Sequence, residues 1–232
     1  MIERILPPQA AAHEMFADAP VASLHPEEAA LVRDAVDGRR REFSTGRHCA
    51  HRALAALGGI PPAPLLATPR GAPRWPRGVC GAITHCAGYR AAAVARTSLV
   101  TALGLDAEPN LPLPEGVLEA VALPAEQVQV KQHTARHPGV AWGKLLFSAK
   151  ESVYKAWFPA TGRPLGFEDA LIDVDPVRGA FHARILPTAL RASEPALRDL
   201  HGRWLVQDGI IATAVAVTPD APGHHRPAPP RP

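Results

Sequence analysis

Residues 143–158 have the sequence GKLLFSAKESVYKAWF, which is the most strongly helical pattern in this chain. The prediction of the fold starts from this stretch. Pro159 and Gly162 follow the stretch, so we predict a helix over 143–158 that these two residues stop. Glu151 and Lys155 lie one helical turn apart, as do Lys150 and Tyr154. Apolar residues cover much of the helix, which is therefore expected to be largely buried: Phe147, Val153, Trp157 and Phe158. Glu151 is then either one half of a surface salt bridge with Lys155 or a buried carboxylate that needs a partner.

A second stretch offers that partner. Residues 103–108 read LGLDAE at the end of a predicted strand. If the strand continues, its period of two places Asp106 and Glu108 on the same face. Two adjacent carboxylates repel each other unless a divalent cation lies between them. The alternative is a strand end with two solvated acids; a site with Glu151 as the third carboxylate is the more specific interpretation.

The remaining elements form two regions with a similar order. The first has a helix over 26–57, a proline-rich loop over 60–77 and strands at 79–84, 91–95 and 99–105. The second has helical segments at 117–123 and 125–133, the helix at 143–158, and strands at 170–174, 181–186, 203–207 and 210–217, the last two joined by an Asp208-Gly209 hairpin turn. We predict an α+β chain of two similar, pseudo-symmetric halves, each a small antiparallel sheet packed with a long helix, with the ligand site at their junction. The predicted divisions are 1–105, 106–218 and a disordered proline-rich tail at 219–232.

Two further segments are candidates for binding. Arg39, Arg40, Arg41 and Arg47 crowd the first predicted helix, where they either bind a polyanion or form a solvated face. The chain has no Walker A loop and no GxGxxG motif, so the common phosphate loops are excluded. His85 follows a strand at a turn, where it is either a binding residue or a structural histidine.

Zinc is a further alternative at two places. Cys86 follows His85, and His48, Cys49 and His51 lie close together in sequence. Neither group has the spacing of a zinc site with a second pair of ligands, so we do not predict zinc from the sequence.

The composition narrows the class of protein. A net charge of +3 is too small to indicate a nucleic-acid partner. The three cysteines form no CxxC pair and no even-numbered disulfide set, and there is no signal peptide and no membrane span. We therefore expect a soluble, cytoplasmic protein with no nucleic-acid or membrane partner.

Taken in order, these segments resemble the 4'-phosphopantetheinyl transferases of the surfactin/enterobactin type. The match runs from about residue 39 to residue 167 and includes the arginine-rich helix and three motifs: GAPRWPRGVCGAITHC (71–86), LGLDAE (103–108) and FSAKESVYKAWFP (147–159). The pairing of the second and third motifs is highly specific. The continuation LGFED (165–169) is similar to the enterobactin branch.

The resemblance implies roles for individual residues. Asp106, Glu108 and Glu151 match the carboxylates that gather around Mg2+, with Mn2+ as a substitute, and Glu151 or Glu108 matches the general base. Lys155 matches the second lysine of the motif. The residues that match coenzyme A contacts are Arg39 or Arg40, together with Arg47, Thr84, His85 and Lys150. Many relatives have a lysine or arginine in a turn where this chain has Gly71-Ala72-Pro73, and Arg70 or Arg74 is the expected replacement.

The implied reaction transfers 4'-phosphopantetheine from coenzyme A to a serine of an apo acyl- or peptidyl-carrier protein, releasing 3',5'-ADP. The implied fold has two similar α+β halves with coenzyme A between them, and a monomer is expected. Two other classes compete: a non-catalytic regulator that binds coenzyme A or a carrier, and a metal-dependent coenzyme A pyrophosphatase, whose glutamate-rich helix signature is absent. Nonribosomal peptide, siderophore, polyketide and lipid synthesis all stay open as pathways.

Overall fold

The computed structural model describes residues 1–19, 24–68, 71–191 and 195–219. Within them, the chain forms two antiparallel sheets with helices, which confirms the α+β prediction. The three-stranded sheet has the order β1-β3-β2, from β1 (Ala10–Met15), β2 (Val79–Cys86) and β3 (Tyr89–Arg96). The five-stranded sheet has the order β4-β8-β7-β6-β5, from β4 (Ala102–Pro109), β5 (Ala170–Asp175), β6 (Ala180–Ile185), β7 (Asp199–Gln207) and β8 (Ile210–Val217).

Five helices accompany the sheets in the described part of the chain. They are α1 (Pro26–Ala30), α2 (Asp37–Leu57), α3 (Val117–Val121), α4 (Pro124–Arg136) and α5 (Trp142–Thr161), with short 3-10 turns at Ile2–Ile5, Phe167–Asp169 and Pro195–Leu197. None of the described helices is long and apolar enough to cross a membrane.

The core is layered in the order α2, three-stranded sheet, five-stranded sheet, α5. Strand β3 explains the layering, because its alternate residues face opposite sides. Ala92 and Val94 pack with Cys49, Ala50 and Ala53 of α2. Ala91, Ala93 and Ala95 pack with Leu103, Leu105 and Ala107 of β4. The other face of the five-stranded sheet packs with α5.

Several boundaries differ from the predictions. The predicted helix over 26–57 is two helices, because residues 31–36 form turns between α1 and α2. Helix α5 continues past Pro159 to Thr161, so the predicted stop at Pro159 is wrong, while Gly162 does end the helix in the left-handed region. Strand β1 lies in a stretch for which no strand was predicted. The Asp208-Gly209 turn has positive φ at both residues, as the hairpin prediction requires.

The third strand of the predicted first meander lies in the other sheet. Strand β4 begins at Ala102, pairs with β8 and has no ladder with β2 or β3. A domain division at residue 105 would therefore cut β4. Each sheet does pack against one long helix, and the pseudo-symmetry of the halves stays a prediction. Of the predicted tail, residues 220–232 lie outside the described residues.

Candidate active site

The site begins where β4 meets α5. The even-numbered residues Gly104, Asp106 and Glu108 share the β4 face that is turned toward α5. Contact is so close that a Cβ built on Gly104 would lie 1.8 Å from the carbonyl oxygen of Ser152. This packing brings the strand's carboxylates beside the helix residues Glu151 and Lys155.

Of the three carboxylates Asp106, Glu108 and Glu151, Asp106 is the most deeply buried, with 4% of the residue exposed. Its Oδ1 accepts a hydrogen bond from Lys155 Nζ at 2.7 Å and one from Thr84 Oγ1 at 3.3 Å. Thr84 Oγ1 in turn accepts a hydrogen bond from the backbone N–H of Ala107 at 2.9 Å. The Thr84 hydroxyl thus joins β2 to β4 and fixes Asp106. Asp106 Oδ2 is buried and has no hydrogen-bond partner among the described residues.

Glu108 and Glu151 lie near Asp106 in partly buried positions. Lys144 Nζ donates to Glu108 Oε2 at 3.3 Å. Burial, and secondly the charge of Asp106, raise the pKa of both Glu108 and Glu151. Lys144 and Lys155 lower the pKa of Glu108, and Lys155 lowers that of Glu151, but these effects only partly offset the rise. The three carboxylates therefore repel one another, as they would around a site for a cation.

The donor set tests whether a magnesium ion fits. Asp106, Glu108 and Glu151 offer oxygen atoms, which Mg2+ prefers, and the orphaned Asp106 Oδ2 is a buried acceptor that a cation would satisfy. The ligand atoms of the three do not all lie within 4.8 Å of one another. A small ion would draw them together, with water or substrate oxygens completing its shell. The residues fit the ion in chemistry, and their side chains must close around it.

Lys150 lies elsewhere. Its side chain is 2% exposed, and Nζ donates to Glu126 Oε2 at 2.8 Å and to the carbonyl oxygens of Phe167 and Ala170 at 2.7 and 2.9 Å. An ammonium group has three protons, so none is left for a phosphate. The predicted phosphate contact of Lys150 does not fit this geometry; the residue anchors α5 to α4 and to the start of β5.

A basic recess adjoins the carboxylates. Arg39, His85 and Arg47 line a cavity of about 140 Å3 together with Gly71 and Pro73. Arg39 Nη1 lies 3.2 Å from His85 Nε2. The pKa of His85 is lowered, chiefly by burial and also by neighbouring cations such as Arg39, although the charge of Glu42 acts in the opposite direction. Arg47 is 5% exposed, stacks on the Phe43 ring at 4.5 Å, and has a buried Nε without a hydrogen-bond partner among the described residues. Glu42 also lines the recess, with Oε2 3.7 Å from Arg39 Nη1 and 3.8 Å from His85 Nδ1, so an anion bound there would compete with this carboxylate for the two side chains.

Two other predicted arginines do not join this recess. Arg40 is exposed on α2 and does not line the cavity. Arg70 lies outside the described residues, and Arg74, the other expected replacement, is exposed and does not line the cavity either. Gly71, with a φ of +84°, ends the turn that carries Pro73 toward the recess.

The recess continues toward α5. A second cavity of about 230 Å3 shares Gly71, Pro73 and Ile83 with it and extends to Glu151, Tyr154 and Lys155. Together the two form one groove, with Arg39, Arg47 and His85 at one end and Glu151 and Lys155 at the other. Asp106 and Glu108 line neither cavity. A larger cavity of about 450 Å3, lined by parts of 110–119 and 130–143, contains none of the predicted site residues.

Sequence reasoning missed three contributors to this region. Glu126 pairs with Lys150, Lys144 pairs with Glu108, and Tyr154 stacks on Phe158 along the groove at 5.8 Å. Of the three, only Glu126 lies in a recognisable local pattern, the Leu-Pro-Ala-Glu sequence typical of a helix start. That pattern predicts a helix cap and does not predict the ion pair with Lys150.

Comparison with known proteins gives two family matches. Residues 27–95 match the 4'-phosphopantetheinyl transferase N-terminal domain, and residues 102–209 match the 4'-phosphopantetheinyl transferase superfamily. The two matches meet between β3 and β4, where the chain passes from one sheet to the other.

Curated relatives agree along most of the chain. The 4'-phosphopantetheinyl transferase Svp of Streptomyces mobaraensis is 50% identical over 224 residues, covering 95% of this chain and 91% of that protein. The 4'-phosphopantetheinyl transferase PptT of Mycobacterium tuberculosis is 47% identical, covering 88% and 90%. Enterobactin synthase component D of Salmonella typhimurium is 30% identical, covering 85% and 80%.

Proposed function

Because this chain belongs to the 4'-phosphopantetheinyl transferase superfamily and is a transferase, we propose that it moves 4'-phosphopantetheine from coenzyme A to a serine of an apo acyl- or peptidyl-carrier protein, with Mg2+. The observation that supports this most directly is the buried, unpartnered Asp106 Oδ2 beside two carboxylates of raised pKa. Burying carboxylates close together destabilises the folded protein, and a non-catalytic regulator would not need this arrangement.

Asp106, Glu108 and Glu151 would hold the magnesium ion, which when bound offsets negative charge on the pyrophosphate oxygens of coenzyme A. Lys155 Nζ lies 2.7 Å from Asp106 Oδ1 and would add positive charge beside the ion. Its second task is to hold Asp106 in one orientation while the substrate is absent.

The reaction needs an acceptor for one proton. The serine oxygen of the carrier forms a bond to the β-phosphorus, the bond from that phosphorus to the departing 3',5'-ADP breaks, and the serine proton is lost. Glu151, with its raised pKa, is suited to accept that proton, directly or through water, because a base works best when its pKa approaches the working pH. Glu108 has the same property and is the alternative base.

The basic recess would hold the nucleotide end of coenzyme A. Arg39 and His85 can meet phosphate oxygens at the rim, and the Arg47 guanidinium, whose Nε lies 3.8 Å from Glu28 Oε1, adds positive charge at the base. Arg40, exposed on the same helix, would contribute charge at longer range. Thr84 acts differently from the predicted phosphate contact, because its hydroxyl proton is directed at Asp106.

All of these groups come from one chain, so we propose that the chain acts as a monomer. Cys49, Cys80 and Cys86 are free thiols, which suits the reducing cytoplasm.

Intact-mass analysis tests the proposal. A purified apo carrier is incubated with this chain, coenzyme A and Mg2+, and a gain of one phosphopantetheine group is expected, with none in EDTA. Asp106→Asn should abolish the gain, whereas Asp199→Asn, a surface change beside His182, should leave it intact. No gain on any acyl- or peptidyl-carrier, despite measurable coenzyme A binding, would replace the proposal with the non-catalytic regulator.

A further inference from the structure

A second group of ligand-type side chains lies outside the carboxylate site. It consists of His25 just before α1, Glu28 in α1 and His51 in α2. Among the described residues, this is the group of three or more His, Cys, Asp or Glu side chains whose ligand atoms all lie within 4.8 Å of one another. The sequence separates His51 from the other two by more than twenty positions, so no zinc spacing was visible.

Glu28 is the fixed centre of the group. The residue is fully buried, and its carboxylate accepts backbone N–H bonds from Leu65 at 2.8 Å and from His25 at 3.1 Å. His51 Nε2 lies 2.9 Å from Glu28 Oε1, and Arg47 Nε lies 3.8 Å from the same oxygen. A buried carboxylate held from several sides keeps one orientation, as a metal ligand must.

The two histidines approach Glu28 from the solvent side. Both are half-buried, and their ring centroids are 5.2 Å apart. They line a cavity of about 250 Å3, whose wall also contains His48 and a run of prolines at 61–62. An ion held by His25, Glu28 and His51 would therefore have open space at its remaining position, where a water molecule or a small ligand could bind.

We propose that His25, Glu28 and His51 bind a divalent transition-metal ion of the zinc class. Two imidazoles and one carboxylate suit Zn2+ in tetrahedral coordination with an open fourth position, whereas Mg2+ prefers oxygen atoms alone. With bonds of about 2.0–2.1 Å, such an ion spaces its ligand atoms roughly 3.3 Å apart, so a small rotation of His25 closes the group. Binding releases any proton that His51 and Glu28 share, since both nitrogen and carboxylate ligands must be deprotonated.

The site would connect α1 to α2. Glu28 and His25 precede α2, while His51 is on it, so the ion would tie the short helix to the long one. It would also lie next to Arg47, at the base of the anion recess, and would compete with that guanidinium for Glu28 Oε1. The proposal concerns metal binding alone and stands or falls independently of the transferase reaction.

Metal binding is measured on the untagged full chain, with His224 and His225 changed to alanine in every protein so that these adjacent histidines add no site. Excess Mg2+ is present to occupy the carboxylate site. Equilibrium dialysis against Zn2+ is expected to give one bound ion, and Co2+ is expected to give the visible absorption of a tetrahedral complex. His25→Gln and His51→Gln should each weaken binding about tenfold or more, while His182→Gln, which alters a His–carboxylate pair elsewhere, should not.

Thermal melts separate folding from ligation. His25→Gln keeps the backbone N–H that bonds to Glu28, so it should melt like the parent without metal and lose only the rise in Tm that Zn2+ gives the parent. Absence of zinc binding in the parent, or unchanged binding in both His25→Gln and His51→Gln, would overturn the proposal and leave an ordinary hydrogen-bonded histidine–glutamate pair.

Discussion

Replacing Gly104 by alanine tests the contact on which the candidate active site depends. The added Cβ would lie 1.8 Å from the Ser152 carbonyl oxygen and 2.8 Å from the Ala156 backbone nitrogen. Both are backbone atoms of α5, so no side chain can rotate away. Since ordinary contact is about 3.5 Å, strand and helix must separate by about 1.7 Å along the line from the added Cβ to the Ser152 oxygen.

The cost follows from that separation. Overpacking a core costs about 1–3 kcal/mol where side chains adjust, and two rigid backbones put Gly104→Ala at about 3 kcal/mol or more. For a chain of this size such a loss lowers Tm by about 6–12 °C. Activity should fall further, because Asp106 is on the strand and Glu151 and Lys155 are on the helix. A misplacement of about 1 Å in a catalytic group can cost about a hundredfold in rate.

Thermal unfolding and the rate of carrier modification measure the two effects. Gly38→Ala is the control, since Gly38 is exposed on α2 and has no atom within 4 Å of an added Cβ. That control should be as stable as the parent or slightly more so. Should Gly104→Ala melt within 2 °C of the parent and modify the carrier at the parental rate, the close contact between β4 and α5 would be refuted.

Three further predictions concern single side chains. Glu151→Gln should abolish carrier modification, measured by intact mass, while coenzyme A binding, measured by calorimetry, survives. Without Mg2+ the variant should have a higher Tm than the parent, because it removes a desolvated charge beside Asp106. Loss of both binding and turnover would indicate a structural role for Glu151. Arg47→Ala should weaken coenzyme A binding about tenfold or more, the worth of a charged hydrogen bond, and an unchanged affinity in calorimetry would exclude the contact. Glu126→Ala leaves Lys150 buried without its carboxylate and should cost about 3–5 kcal/mol in urea unfolding, which a parental midpoint would contradict.

The sequence predicted the elements that have strong local patterns. Helix α5 and the hairpin at Asp208-Gly209 were identified because apolar periodicity and turn residues determine them locally. Strand β1 was missed because its residues, AAAHEM, have no strand pattern of their own and gain a ladder only from β3. The assignment of β4 to the second sheet depends on β8, more than 100 residues later, which no local pattern reveals.

The candidate site was predicted to a similar extent. The period of two identified the shared face of Asp106 and Glu108, because it is a property of any strand. The direction in which the Lys150 side chain points could not be predicted from a local pattern. Adjacent helical residues point about 100° apart, so Lys150 and Glu151 cannot both face β4, and the buried partner Glu126 decides which does. The grouping of His25, Glu28 and His51 likewise depends on the turn between α1 and α2.

The position of β8 in the sheet has a consequence for how the protein is made. A ribosome synthesises Asp106 and Glu108 well before residues 210–217, yet β8 is the strand that pairs with β4. Folding of the carboxylate strand therefore has to wait for the end of the second sheet, a long sequence separation that slows folding. A nascent chain halted before Ile210 would contain Asp106, Glu108 and Glu151 and still lack the ladder that aligns β4 with α5. The carboxylate site therefore cannot be complete before β8 has been synthesised.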